Sequence, residues 1–151
     1  MKTNLSRGMR NNNPLNIRHS ASQWQGMRTE QTDTAFVQFT TMVMGYRAAW
    51  RTLETYYKHF EAERRPFTPR NIIYRWAPPV ENDSEAYLRR ICRLTTLAGN
   101  APLSRPSRIP TSEDREKLVS LIAAMTCVEN GIKMEDVSKE DIRTARRMAF
   151  K

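Results

Sequence analysis

Apolar residues recur every three to four positions over most of the chain, and this spacing predicts helices. The first long helix should begin near Met42 and end near Arg64, before Pro66. Its buried face is predicted to consist of Tyr46, Ala49, Trp50, Leu53, Tyr57 and Phe60. The pattern indicates a mainly α-helical protein.

Capping residues bound two shorter helices that follow. Thr68 is placed to cap a helix over residues 69–76, whose first residue is a proline. Asn82 or Asp83 can cap the next helix, which should end around Gly99. Side chains with oxygen acceptors at these positions satisfy backbone N–H groups that have no partner within the helix.

The second half of the chain predicts two more helices. Residues 100–110 contain three prolines and are predicted to form a loop. Thr111 or Ser112 caps a helix that runs to about Val128, and a last amphipathic, basic helix covers residues 138–148.

Residues 27–39 carry the strongest β signal in the sequence. They alternate polar with apolar residues near their end and contain a Thr-Asp-Thr corner, which predicts a short β-hairpin. The expected architecture is one domain over residues 1–151. It comprises a loop and β-hairpin lobe at 7–40 and a helical lobe at 41–151.

The segment RGMRNNNPLNIRHSASQWQG, residues 7–26, is rich in residues that shape backbone corners. Asparagine tolerates left-handed backbone and caps its own turns, whereas Pro14 biases Asn13 towards an extended conformation. Such a segment buries little apolar area but specifies its own shape. This favours a ligand-binding loop over a linker.

Charge narrows the classes of partner. The 151 residues include 25 Lys and Arg against 16 Asp and Glu, a formal net charge of +9. Such a protein attracts polyanions, whether nucleic acid, anionic membrane or bacterial cell-wall polymer. The arginines are spread along the chain without a run of five or six basic residues, which weakens the nucleic-acid interpretation.

The start of the chain, MKTNLSRGMRNNN, lacks the apolar core of a signal peptide. Later segments do not approach the roughly 18 apolar residues of a membrane span. We therefore expect a protein made in the cytoplasm without membrane insertion. Another system would have to deliver it to act outside the cytosol, at the cell wall after release or as part of a virion.

Glu129 stands out among the carboxylates. It follows Met125 by four residues and Ile122 by seven, and so lies on the apolar face at the helix C-terminus. Partial desolvation and the negative end of the helix dipole both favour the protonated form that a general acid needs. The alternative is that Glu129 frays into solvent while Asn130 and Gly131 end the helix.

The sequence resembles the lysozyme-like superfamily, in particular its lytic transglycosylases and flagellar-type glucosaminidases. In these proteins a helix ends in a catalytic Glu, as in Val128-Glu129-Asn130-Gly131. A loop, a Trp-x-Gly element, a Thr-Glu hairpin and a long helix follow. The corresponding segments here are residues 12–18, Trp24-Gln25-Gly26, Thr29-Glu30, residues 36–39 and residues 45–48.

The order of these segments differs from that of the superfamily, because the Glu helix comes last. A circular permutation would produce this order. The chain also resembles phage and prophage virion proteins with an Arg-Gly-x-Arg-Asn-Asn-Asn-Pro-x-Asn-Ile motif. Their Arg-Trp-Ala-Pro-Pro-x-Glu-Asn-Asp and Glu-Asn-Gly motifs match residues 75–83 and 129–131.

The resemblance implies catalytic roles. Glu129 would protonate the glycosidic oxygen, while Glu30, or failing that Asp33, would be the second carboxylate, acting as a base or stabilising positive charge on the sugar ring. Glu30 could equally be a solvated charge. Glu81 is the reserve acid, whereas capping explains its neighbours Asn82 and Asp83.

The resemblance also implies a substrate-binding set of Asn13, Asn16, Arg18, Trp24 and Gln25. The Asn and Gln side chains would bind acetamido groups. Trp24 would stack on a sugar face, or alternatively plug the space between lobe and core.

We therefore expect a phage-type peptidoglycan glycan-strand hydrolase or lytic transglycosylase. It would need no cofactor, and the isolated His19 and His59 do not suggest a metal site. Other phage structural proteins are possible partners. The first alternative is a non-catalytic lysozyme-like virion, structural or glycan-binding protein, and the second, supported only by charge, is a nucleic-acid-binding protein.

Overall fold

The computed structural model of the chain describes residues 5–151. The first four residues, part of the stretch predicted to lack a signal-peptide core, lie outside this range. The α-helices of the described residues are α1 (Arg7–Arg10), α2 (Met42–Ala62), α3 (Pro69–Trp76), α4 (Ser84–Leu94), α5 (Ser112–Asn130) and α6 (Lys139–Ala149). A single turn of 3-10 helix at Met134–Asp136 connects α5 to α6.

Side-chain caps start these helices where the sequence predicted them. The hydroxyl of Thr68 accepts a hydrogen bond from the backbone N–H of Asn71, and Thr111 does the same for Asp114. Asp83 caps α4, which ends at Leu94 rather than near Gly99. The helix that carries Glu129 extends to Asn130, beyond the predicted end at Val128.

Helix α5 occupies the centre of the molecule. Every residue from 121 to 127 is buried, so this part of the helix is enclosed on all sides rather than on one face. Helices α1, α4 and α6 all contact it. Beyond this enclosed part the helix emerges from the core again in its last turn, where Glu129 and Asn130 are half-buried.

Two buried hydrogen bonds fix α2 against its neighbours. The indole Nε1 of Trp50 donates to the carbonyl oxygen of Ile142 in α6 at 2.9 Å. The hydroxyl groups of Tyr46 and Thr126, in α2 and α5, lie 3.0 Å apart. Because these side chains are fully buried, the bonds set the register of three helices around the core.

The predicted β-hairpin lobe is wrong, and with it the α+β fold class, although the mainly α prediction is confirmed. Residues 5–151 contain no strand, and the β pairings are isolated bridges such as Arg18 with Phe36 and Met27 with Phe39. Side chains replace the ladder that a hairpin would need. The backbone N–H of Gln38 donates to the Gln31 side chain at 2.8 Å, and that of Thr32 donates to the Gln38 side chain at 2.6 Å.

Candidate functional site

A cleft of about 290 Å³ lies where the end of α5 meets the loop of residues 7–26 and the turn that follows α3. Its lining includes Asn16, Arg18, Trp76, Glu81, Asn82 and Glu129. A second cavity of about 240 Å³ adjoins it and shares Asn16, Arg18 and Trp76. The second cavity adds Thr52 and Tyr56 of α2. Together the two cavities form a groove that is lined by three aromatic residues, Phe36, Trp76 and Tyr56.

Glu129 presents its carboxylate to the first cavity. The amide Nδ2 of Asn16 donates to Oε1 at 3.0 Å, and the hydroxyl of Tyr87 in α4 donates to Oε2 at 2.9 Å. Each carboxylate oxygen can accept about two hydrogen bonds, so both keep capacity for a ligand. The two donors hold the group in one orientation.

The pKa of the Tyr87 hydroxyl is shifted by its surroundings. Burial raises its pKa well above the ordinary value for tyrosine, and the adjacent charge of Glu129 and the hydrogen bond to it raise it further. The phenol therefore remains protonated and keeps donating to Glu129 throughout the neutral pH range.

The helix end that carries Glu129 is locked by the two residues after it. Gly131 adopts φ 65°, and its N–H donates to the carbonyl oxygen of Cys127 at 2.8 Å, which closes the helix. The side-chain amide of Asn130 donates to the carbonyl oxygens of Pro14 and Thr126, and its oxygen accepts from the Ser6 hydroxyl at 2.6 Å. These contacts tie the loop to α5.

Asn16 reaches Glu129 because the loop bends sharply. Asn16 has φ 54° and Asn12 has φ 51°, both in the left-handed region that asparagine tolerates better than most residues. Gly8 lies directly behind: a Cβ atom there would come 2.8 Å from Oδ1 of Asn16 and 2.5 Å from Oδ1 of Asn130. The loop can therefore approach α5 this closely only with glycine at position 8.

Asn13 has a structural role in this loop. It is fully buried, and its side-chain amide donates to the carbonyl oxygens of Ile17 and Val37 at 2.9 and 2.8 Å. Its Oδ1 accepts from the N–H of Ile17 at 2.9 Å. Asn13 shapes the loop and does not line the cleft.

The two carboxylates predicted on the hairpin lie elsewhere. Asp33 forms a bidentate pair with Arg7, with distances of 2.6 and 2.7 Å, and also accepts from the Asn11 side chain. These contacts, above all the hydrogen bond from Arg7, hold its pKa well below the usual range. Glu30 is exposed and, like Asp33, is not part of the lining of the cleft.

Trp24 and Gln25 also lie outside the groove lining. Trp24 packs against a small apolar cluster formed by Val37, Phe39 and Ala48, which agrees with a plug between loop and helices. Gln25 is exposed.

Glu81 is the carboxylate that accompanies Glu129 in the cleft. It is exposed and lies in the turn between α3 and α4. Asp83 ends the same turn. Its side chain accepts a hydrogen bond from the N–H of Ala86 at 3.0 Å and acts as the predicted cap of α4. Asn82 lines the cleft as well.

Tyr87, Trp76 and Tyr56 are site residues that the sequence did not single out. Each belongs to a helix whose apolar spacing is explained by core packing, and each does contact the main core while half-buried. Their spacing alone gives no signal that Trp76 and Tyr56 line the groove or that Tyr87 binds Glu129.

Among residues 5–151, two features are absent: a helix able to cross a membrane and a group of potential metal ligands. None of their helices is long and apolar enough to cross a membrane. Between residues 5 and 151, no group of three or more His, Cys, Asp or Glu side chains is arranged to hold a metal ion.

Comparison with known proteins gives one informative match. The chain is 36% identical over 129 residues to protein P5 of Pseudoalteromonas phage PM2, an alignment that covers 83% of this chain and 72% of that protein. No protein-family model matches the sequence.

Proposed function

The chain belongs to the family of protein P5 of Pseudoalteromonas phage PM2, and we propose that it cleaves the glycan strands of bacterial peptidoglycan with Glu129 as general acid. The observation that carries this proposal is the placement of Glu129. Its carboxylate closes one end of a groove and is oriented by Asn16 and Tyr87. A carboxyl group held in one orientation in a cleft can, when it is protonated, deliver its proton to a glycosidic oxygen.

In the first step Glu129 transfers its proton to the oxygen that links two amino sugars. The bond between that oxygen and the anomeric carbon breaks, and positive charge develops on the sugar ring. Tyr87 and Asn16 then stabilise the carboxylate that Glu129 has become, because both donate hydrogen bonds to it.

The second step distinguishes two routes. In hydrolysis a water molecule attacks the anomeric carbon and gives a proton to a carboxylate, with Glu81 the candidate that shares the cleft. In a lytic transglycosylase route the 6-hydroxyl of the same sugar attacks instead and returns its proton to Glu129. The products differ by one water molecule.

The rest of the groove suits an extended glycan. Trp76 and Tyr56 provide aromatic surface beyond Glu129, and sugar rings present apolar faces that pack against such surfaces. A net charge of +9 favours approach to an anionic cell wall.

Turnover of purified peptidoglycan by wild type and by Glu129→Gln tests the proposal. Mass spectrometry of the soluble fragments reports both cleavage and the presence of the added water. We expect wild type to release fragments, Glu129→Gln to lose at least about a hundredfold in rate, and Glu135→Gln to match wild type. Glu135 is an exposed carboxylate outside the cleft lining. Equal activity of the Glu129 variant would refute the assignment.

One observation favours a second candidate, a phage structural or glycan-binding protein without turnover. Neither Glu30 nor Asp33, the carboxylates predicted first as partners of Glu129, lines the cleft, and Glu81, which does, is exposed. If the wild type and both variants fail to cleave peptidoglycan, but the wild type sediments with insoluble peptidoglycan, this second candidate is correct.

A further inference from the structure

Arg18 stands at the junction of the two cavities. It belongs to the lining of both, and its backbone is held by the bridge to Phe36. Its guanidinium carbon lies 4.9 Å from the centre of the Phe36 ring. The side chain is exposed, so its N–H groups can reach a molecule in the groove.

Arg7 has a carboxylate partner within residues 5–151, whereas Arg18 has none. Arg7 contacts the same phenyl ring, at 4.5 Å, and receives its counter-charge from Asp33. Between residues 5 and 151, Arg18 forms no ion pair with a carboxylate. One arginine at this ring is therefore neutralised within the protein, whereas the other is not.

The carboxylates of the cleft do not fill this role. Glu81 and Glu129 share the cavity with Arg18, but neither is within ion-pair distance of it. Glu129 is instead held by Asn16 and Tyr87.

The chemistry of a guanidinium defines the ligand group. Stacking on an aromatic ring leaves the N–H edge available, and that edge matches a carboxylate through two parallel hydrogen bonds. The sugar backbone of peptidoglycan offers neutral hydroxyl and acetamido groups. Its carboxylates belong to the peptide stems that branch from the lactyl group of alternate sugars.

We propose that Arg18 binds a carboxylate of a peptide stem, so that the groove selects stem-bearing glycan over bare glycan. This inference rests on the proposed function, because it takes peptidoglycan as the substrate. It adds that the recognised unit is the glycan together with its peptide.

Binding measurements in a Glu129→Gln background test the inference without turnover. The ligands are a peptidoglycan tetrasaccharide with its stems, the same tetrasaccharide without stems and with its lactyl carboxylates capped as amides, and a form whose stem carboxylates are amidated. Calorimetry gives Kd for each. Arg18→Gln and Arg18→Lys are compared with Arg93→Gln, which removes an exposed charge on α4 outside the groove.

With Arg18 present, the stem-bearing ligand should bind roughly tenfold or more tightly than the other two, as expected for a hydrogen-bonded charge pair. Arg18→Gln should remove this preference, Arg18→Lys should restore part of it, and Arg93→Gln should leave it intact. A preference that is absent in the Glu129→Gln protein, or that survives Arg18→Gln, overturns the inference. So does failure of all three ligands to bind.

The two proposals can fail separately. If Glu129 is required for turnover but stems make no difference to binding, only the role of Arg18 is wrong. If stems are preferred through Arg18 but wild type never cleaves the glycan, only the catalytic proposal is wrong.

Discussion

The hydroxyl of Tyr87 and Oε2 of Glu129 lie 2.9 Å apart, and this contact joins α4 to the end of α5. We expect Tyr87→Phe to reduce the rate of glycan cleavage about tenfold, because a hydrogen bond to a charged group is lost. Kinetics on soluble glycan and thermal unfolding separate catalysis from stability. Tyr74→Phe, which removes a comparable contact with Glu85 outside the cleft, is the matched control. Equal losses in both variants would contradict a specific role for Tyr87.

Replacing Asn16 with glycine should separate the shape of the loop from its chemistry. Glycine adopts φ 54° readily, so the loop conformation is kept while the donor to Glu129 is removed. We expect unchanged Tm within a few degrees and a clear loss of cleavage rate. Asn12→Gly also removes a left-handed asparagine, one whose amide donates to the carbonyl oxygens of Phe39 and Thr40, and it should remain active. Full activity of Asn16→Gly would show that the amide is dispensable.

Gly8→Ala should destabilise the protein. The new Cβ would lie 2.9 Å from the carbonyl oxygen of Asn13 and closer still to the side chains of Asn16 and Asn130. Overpacking of this kind typically costs about 1–3 kcal/mol, to be measured by urea unfolding. Gly99→Ala is the control, since its nearest neighbour would lie at 3.5 Å, an ordinary contact. A neutral Gly8→Ala would mean that the loop can move away from α5 at little cost.

The pair between α5 and α6 should make stability depend on acid pH. Arg143 donates to both oxygens of Glu116, at 2.7 and 2.9 Å, and this pairing lowers the pKa of Glu116 to about 2. The resulting stabilisation is present above the pKa of an unfolded glutamate, about 4.3. It is lost as the pH falls to about 2, because the folded carboxylate is then protonated.

Glu116→Gln should therefore cost roughly 0.5–1 kcal/mol near pH 7, a modest value because the side chain is partly exposed and screened. The difference from wild type should vanish near pH 2. Urea unfolding across this range measures it, and parallel curves for the two proteins would exclude the pair as a source of acid sensitivity.

Local capping chemistry made the helices predictable. Thr68, Asp83 and Thr111 are followed directly by the helices they cap, so the relevant contacts lie within three residues. The same periodicity placed Glu129 at the helix end but left open whether it faces inward or frays into solvent. Its contact with Asn16 joins residues 113 positions apart, and no local pattern predicts it.

The wrong β-hairpin prediction and the missed role of Tyr87 also have physical causes. Alternation in residues 27–39 resembles a strand, but Gln31 and Gln38 satisfy the backbone through their side chains, an arrangement that alternation cannot reveal. Tyr87 fits the apolar spacing of α4, and its ring packs against the core. Its hydroxyl gains a partner only when α4 and α5 pack together.

The contacts of the Asn130 side chain affect when the site can form during synthesis. Asn130 binds Pro14 and Ser6, which lie 116 and 124 positions earlier in the chain, and Glu129 is the residue next to it. A nascent chain that has been synthesised only as far as α4 contains Asn16, Arg18 and Tyr87. It contains neither Glu129 nor Asn130. The candidate site therefore comes into existence only after α5 has been synthesised.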